Sequence, residues 1–124
     1  MKANVCFKFL FPAALLAALG VAAGALGAHA PWLTDPMRAI WETAVRYQMW
    51  HALGLGLIAH LERTPWTQWG GYLMLLGAVL FSGSLYLLAL SGLPWLGKIT
   101  PLGGSLLIAS WLLVAWHGWR KPHA

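Results

Sequence analysis

The stretch Trp69–Leu90, WGGYLMLLGAVLFSGSLYLLAL, decides the fold. It contains no Asp, Glu, Lys or Arg, and at 1.5 Å rise per residue a helix of this length crosses the ~30 Å hydrocarbon core of a bilayer. Three further apolar runs flank it, at about Phe9–Ala28, Ala44–Leu61 and Leu102–Trp119. The second is the weakest: it is short and carries Gln48, His51 and His60. Its helix is therefore expected to begin earlier, within Pro36–Arg46, and to enter the membrane obliquely.

Helix starts are marked by Asp35-Pro36, Thr64-Pro65 and Thr100-Pro101. Each pair offers a side-chain oxygen for the N-cap and a proline for the first turn, where its missing N–H has no partner to lose. The connections Leu61–Trp69 and Ser91–Thr100 are short, which makes consecutive helices antiparallel. The expected architecture is all-α: an integral membrane four-helix bundle of up-down topology, one membrane domain over residues 1–124.

Composition agrees with that reading. Of the 124 residues 60% are hydrophobic and 9% charged, against roughly 25% charged in soluble domains. Six of the nine tryptophans (Trp32, Trp41, Trp66, Trp69, Trp95 and Trp119) fall near expected helix ends, as an interfacial belt requires. The net charge of +5 comes from few acids (Asp35, Glu42 and Glu62) rather than many bases, and the bases are scattered along the chain, which argues against nucleic acid as a partner. Cys6 is the only cysteine, so an internal disulfide and a CxxC motif are both excluded. Lys2, Lys8, Arg63, Arg120 and Lys121 would share one side of the membrane, and Arg38, Arg46 and Lys98 the other. The excess of bases places both termini in the cytoplasm. Ala28-His29-Ala30 resembles a signal-peptidase site, but the run before it exceeds the 7–15 residues of a usual leader core, so it is read as an uncleaved span.

Within the first run Gly20, Gly24 and Ala28 recur every four residues, a small-residue stripe that lets helix backbones approach closely. Packing inside the bundle is the expected use, with a homo-oligomer face as the alternative. Arg38, Glu42 and Arg46 follow at i, i+4 spacing and are expected to form an exposed ion-pair ladder. Tyr47, Gln48 and His51 form a polar stripe on the second helix. With the termini inside, that stripe, His29 at the end of the first helix, Ser82, Ser84 and Tyr86 on the third, and Thr100 at the start of the fourth all fall toward the outer half of the bilayer. Polar groups in a membrane turn toward one another or toward water, so a shared cluster is expected. No metal or cofactor site is expected: HxxxH and CxxCH spacings are absent, and a haem between His29 and His51 or His60 and His117 would rest on a coincidence of depth. GxSxG, Walker and HExxH motifs are also absent. A serine mechanism would need His51 to reach Ser82 or Ser84.

Gly27-Ala28-His29-Ala30, Tyr47-Gln48-Met49-Trp50-His51-Ala52-Leu53, Leu80-Phe81-Ser82-Gly83-Ser84-Leu85-Tyr86 and Ile99-Thr100-Pro101-Leu102-Gly103-Gly104 resemble, in order and over nearly the whole chain, the motifs of the small bacterial inner-membrane proteins grouped as domain of unknown function 423. The resemblance implies an uncleaved multi-pass membrane protein and no established reaction or cofactor. It also adds Gly83, Gly103 and Gly104 to the residues of interest as packing positions.

The expected role is a non-enzymatic membrane protein that binds a small molecule or lipid, or partners another membrane protein. The alternative is a subunit of a small oligomeric transporter or channel. That alternative needs His51 in place of the intramembrane carboxylate that proton-coupled export generally uses.

Overall fold

The structure is a computed structural model that describes residues 4–120, so Lys2 and Lys121 lie outside the described residues. Four helices follow one another: α1 (Phe7–Ala28), α2 (Asp35–Ala59), α3 (Pro65–Ser91) and α4 (Thr100–Arg120), with a 3-10 turn at Pro94–Lys98 before α4. Thr64 caps α3 in a reciprocal capping box with Thr67, as its position before Pro65 predicts. At α2 the cap is Thr34 rather than Asp35; its hydroxyl accepts the Met37 N–H, and Asp35 becomes the first helical residue. Thr100 also departs from the expected role. Only Ile99 separates the 3-10 turn from α4, and the Thr100 hydroxyl bonds to Ser84 instead. Gly92 ends α3 in the left-handed region (φ 71°), returning its N–H to Leu88 O.

α2 starts nine residues before the apolar run that marks it in the sequence. The cause is its place in the bundle. Packing runs from α1 to α2, α2 to α3 and α3 to α4, so α2 and α3 are the central pair and α1 and α4 flank it. Contacts at the helix ends fix the antiparallel order. Cys6 N–H donates to Ala59 O at 2.8 Å, joining the start of α1 to the end of α2. At the opposite end Arg38 donates to the carbonyls of Gly27, Ala30 (2.7 Å) and Leu33 (3.3 Å). Those oxygens end α1 or follow it, where helical partners run out. The i, i+4 ladder is thereby corrected: Arg38 is spent on carbonyls, and Arg46 reaches Thr43 Oγ1 at 3.3 Å.

Three of the four helices are long and apolar enough to cross a membrane, α1, α3 and the stretch from the 3-10 turn through α4. α2 is long enough at 25 residues, but it carries Asp35, Arg38, Glu42 and Arg46. Outward-facing positions on the other helices are apolar, among them Phe11, Leu19, Val79, Leu87 and Leu112. Trp32 and Trp95 stand exposed at one end of the bundle, and Trp69 and Trp119 at the other, the distribution of an interfacial belt. Trp41 is the exception. It is buried, and its indole N–H donates to Ala23 O at 2.8 Å.

Small residues set the closest approaches. A Cβ on Gly20 would run into Met49 Sδ, one on Gly27 into the Trp41 ring, and one on Gly24 would just touch Val45. The stripe is thus used inside the bundle, with Gly27 rather than the exposed Ala28 as its last contact. At the α3–α4 crossing, a Cβ on Gly103 would stand 2.5 Å from Phe81 N and 3.0 Å from Gly77 O. Backbone cannot yield as a side chain can. Gly103→Ala is therefore expected to destabilise the protein by about 1–3 kcal/mol, whereas Gly83→Ala, where a Cβ meets nothing within 4 Å, is expected to be neutral or slightly stabilising. Thermal unfolding of the two variants in detergent checks the contrast.

Candidate functional site

The polar residues singled out in the sequence lie on two sides of α2, along two lateral clefts. The first opens between α1 and α3 with α2 as its floor and measures about 350 Å³. Leu16, Leu19 and Val79 line its flanks, and Gln48, Ser82 and Tyr86 its polar part.

Gln48 is 6% exposed and joins three helices. Its Nε2 donates to Leu16 O on α1 at 2.8 Å, and its Oε1 accepts the Tyr86 hydroxyl of α3 at 2.6 Å. The amide orientation is dictated by its partners, because a carbonyl can only accept. Gly20 lies beside this bond: a Cβ there would strike Met49 Sδ and stand in ordinary contact, 3.5 Å, with Gln48 Nε2. Beside this bridge Ser82 Oγ donates to Ala44 O at 2.8 Å. The Trp41 ring packs edge-on against Tyr86, with centroids 4.6 Å apart.

The second cleft, about 380 Å³, lies between α2 and α4 beside Phe81 of α3. His51 and Tyr47 face it from α2, and Gly104, Ile108 and Trp111 from α4. His51 Nδ1 lies 2.7 Å from Tyr47 O. The His51 and Trp111 ring centroids are 6.0 Å apart, and those of Tyr47 and Phe81 4.3 Å.

A third polar contact closes the end of α3 against the start of α4. Ser84 Oγ donates to Phe81 O at 2.9 Å, which leaves Thr100 as the donor in the 2.6 Å Ser84–Thr100 bond. The expected single cluster is thus three separate groups. His29 joins none of them; it is exposed in the turn after α1. Neither serine bonds to His51. Depth also differs from the expectation. Because α2 begins at Asp35, its midpoint falls at residue 47, so Tyr47, Gln48 and His51 sit near the middle of the bundle rather than in its outer turns. Ser84, Tyr86 and Thr100 lie toward the end where α1 finishes. Among the glycines, Gly103 and Gly104 pack on Phe81, while Gly83 borders the first cleft with open space above it. Among the described residues no group of three or more His, Cys, Asp or Glu side chains is placed to hold a metal.

Apolar outer faces, polar contacts turned inward and helix ends ringed with tryptophan define a multi-pass helical membrane protein. The chain belongs to the family described as "Protein of unknown function (DUF423)", which it matches over residues 23–104. It is 46% identical over 110 residues to the UPF0382 membrane protein SH2409 of Staphylococcus haemolyticus, covering 86% of this chain and 90% of the relative. It is 42% identical over 112 residues to the UPF0382 membrane protein YwdK of Bacillus subtilis (86% and 91% covered). It is also 42% identical over 115 residues to the UPF0382 inner membrane protein YgdD of Escherichia coli (87% and 86%). No solved structure matches it.

The Gln48 bridge makes a measurable claim. Interhelical hydrogen bonds in membranes average about 0.6 kcal/mol and reach about 1.7. A double-mutant cycle of Gln48→Leu and Tyr86→Phe, read from unfolding in mixed micelles, is expected to give a coupling energy in that range. Additive single effects would mean that the 2.6 Å contact contributes nothing to stability.

Proposed function

We propose that this protein is a non-enzymatic inner-membrane protein with both termini in the cytoplasm, and that it holds an acyl chain of a membrane phospholipid in the α1–α3 cleft. The observation that carries the reading is the construction of that cleft. It opens sideways, where a spanning bundle meets lipid, and its flanks are apolar side chains of α1 and α3. Its volume of about 350 Å³ falls within the range of small-molecule sites, about 300–1,000 Å³. The side chains of Gln48, Ser82 and Tyr86 each hold a partner within the bundle, so an occupant is selected chiefly by shape. Gly83 adds depth where any side chain would fill the space.

Orientation rests on the bases. Lys8, Arg63 and Arg120, together with Lys2 and Lys121, stand against Arg38, Arg46 and Lys98. The uncleaved reading of α1 is supported by its packing: Gly20, Gly24 and Gly27 all seat side chains of α2. A green fluorescent protein fused to the C-terminus is expected to be fluorescent, and an alkaline phosphatase fusion at the same point inactive; the reverse pattern would overturn the orientation.

Lipid binding is tested with a phosphatidylethanolamine carrying a photoactivatable group in its acyl chain, reconstituted with the full-length protein. Labelling is expected to concentrate on Leu16, Leu19 and Val79. Gly83→Leu, which fills the cleft, is expected to reduce it at least about twofold while leaving the helix content unchanged. Labelling spread evenly over the exposed faces of α1 and α3, or unaffected by Gly83→Leu, would remove the proposal.

A further inference from the structure

The second cleft holds a buried side chain with an acceptor that has nothing to bind. His51 is 6% exposed. Its Nδ1 lies 2.7 Å from Tyr47 O, and because a carbonyl oxygen only accepts, Nδ1 carries the proton. In the neutral ring Nε2 is then a lone-pair acceptor. Nε2 has no hydrogen-bond partner among the described residues. Every fully buried side-chain nitrogen or oxygen among them does have one, so Nε2 must reach open space, and the open space that His51 lines is the α2–α4 cleft.

The walls restrict what could meet that atom. Tyr47 stacks on the His51 ring at 6.0 Å with planes 17° apart, and Trp111 closes on the imidazole from α4 at 6.0 Å. Phe81 lies against Tyr47. Aromatic walls favour a flat ring, offset-stacked or edge-on. Ile108 and Leu107 complete an apolar border, with Ile108 64% exposed at the outer side. The occupant must therefore offer a hydrogen-bond donor, arrive through lipid, and bring no charge into a site near the middle of the bundle. A carboxylate is excluded by its charge and its lack of a donor. An ammonium has the donors but carries the charge.

We propose that the α2–α4 cleft is a binding site for a neutral, lipid-soluble molecule whose head group is a hydroxyl-bearing aromatic ring, of the hydroquinone class, with His51 Nε2 accepting its hydroxyl proton in a hydrogen bond. The site is independent of the α1–α3 cleft: the two share no lining residue, and failure of one leaves the other standing. Binding alone is assigned; no electron or proton transfer is part of it.

The test uses the full-length protein in nanodiscs and a short-tailed pair, decylubiquinol and its oxidised form decylubiquinone, titrated anaerobically by calorimetry. The reduced form is expected to bind saturably and at least about tenfold more tightly than the quinone, which has the same skeleton but lacks hydroxyl donors. His51→Phe, which keeps a ring but removes the acceptor, is expected to abolish that preference, while Gln48→Leu on the other side of α2 is expected to retain it. Should His51→Phe fail to fold, Ile108→Trp at the exposed border decides in its place by closing the cleft, with loss of binding as the expected result. Equal affinity for the two forms, absence of saturable binding, or a preference unchanged in the deciding variant would each overturn the assignment.

Discussion

A primary amide near the middle of a membrane bundle has few resting places, and the three-helix bridge at Gln48 is the one this chain has found. Left unpaired in hydrocarbon, such a group would cost several kcal/mol. α1 supplies the Leu16 carbonyl and α3 the Tyr86 hydroxyl. Because these partners stand on different helices, α2 has to lie between them. That single requirement places the least apolar helix at the centre, gives α1 and α3 their relation across it, and leaves α4 to pack on α3. A bundle whose two outer helices are each held to a central pair, rather than to one another, opens at its sides. The lateral clefts follow from this.

Polar bonds act only at short range, so the helices must approach closely before the bridge can form. No hydrophobic drive acts between helices surrounded by lipid tails, and small residues take over that task. Gly20 seats Met49 next to the Gln48 bridge; Gly27 seats Trp41, whose indole then reaches Ala23 O. On α3, Gly71 accommodates the Phe9 ring, which stands edge-on to Tyr72 at 5.2 Å and holds the start of α1 to the bundle. Gly77 and Gly103 bring α3 and α4 to backbone contact. Each site joins a missing side chain on one helix to a large group or a backbone on its neighbour. In this chain a glycine's value depends on what faces it, and Gly83, facing nothing, opens space where the others close it.

The fold was legible because hydropathy and proline placement report on lipid and on helix starts, and α1, α3 and α4 meet lipid. The apolar run of α2 is shorter than its helix, which starts at Asp35, one residue ahead of the expected Pro36–Arg46 interval. The nine residues before the run are shielded by neighbours or lie at the surface, so their polarity carries no penalty that the apolar pattern would record. The site was legible in its residue types but not in its grouping. Steps of 100° put Tyr47, Gln48 and His51 within one broad side of a helix, and Gln48 and His51 only about 60° apart, yet Gln48 bonds to α1 and His51 lines the cleft toward α4. Which neighbour stands where is a property of the bundle and not of one helix. Arg38 shows the same limit. Spacing offered it Glu42 as an exposed ion pair, worth a few tenths of a kcal/mol, but three carbonyls at and beyond the end of α1 offered charge-assisted hydrogen bonds, worth about 1.5–3. The stronger partner came from a different segment. Trp41, placed near a helix end like the belt tryptophans, is separated from them only by the presence of Gly27 opposite.

The two clefts impose different rules on whatever occupies them, and the difference comes from how α2 distributes its polar groups. On the α1 side each polar side chain has a partner: amide to carbonyl, phenol to amide, serine to carbonyl. Such a surface rewards shape and leaves chemical identity almost unread. On the α4 side the imidazole is tied by one nitrogen to its own helix, four residues back, which fixes the tautomer and spares the second nitrogen. A helix that needed histidine only for cohesion would gain more by bonding it across to α4, since a bond within one helix joins nothing. The Gln48 side of α2 thus serves assembly, and the His51 side keeps an acceptor in reserve that no contact within the bundle uses.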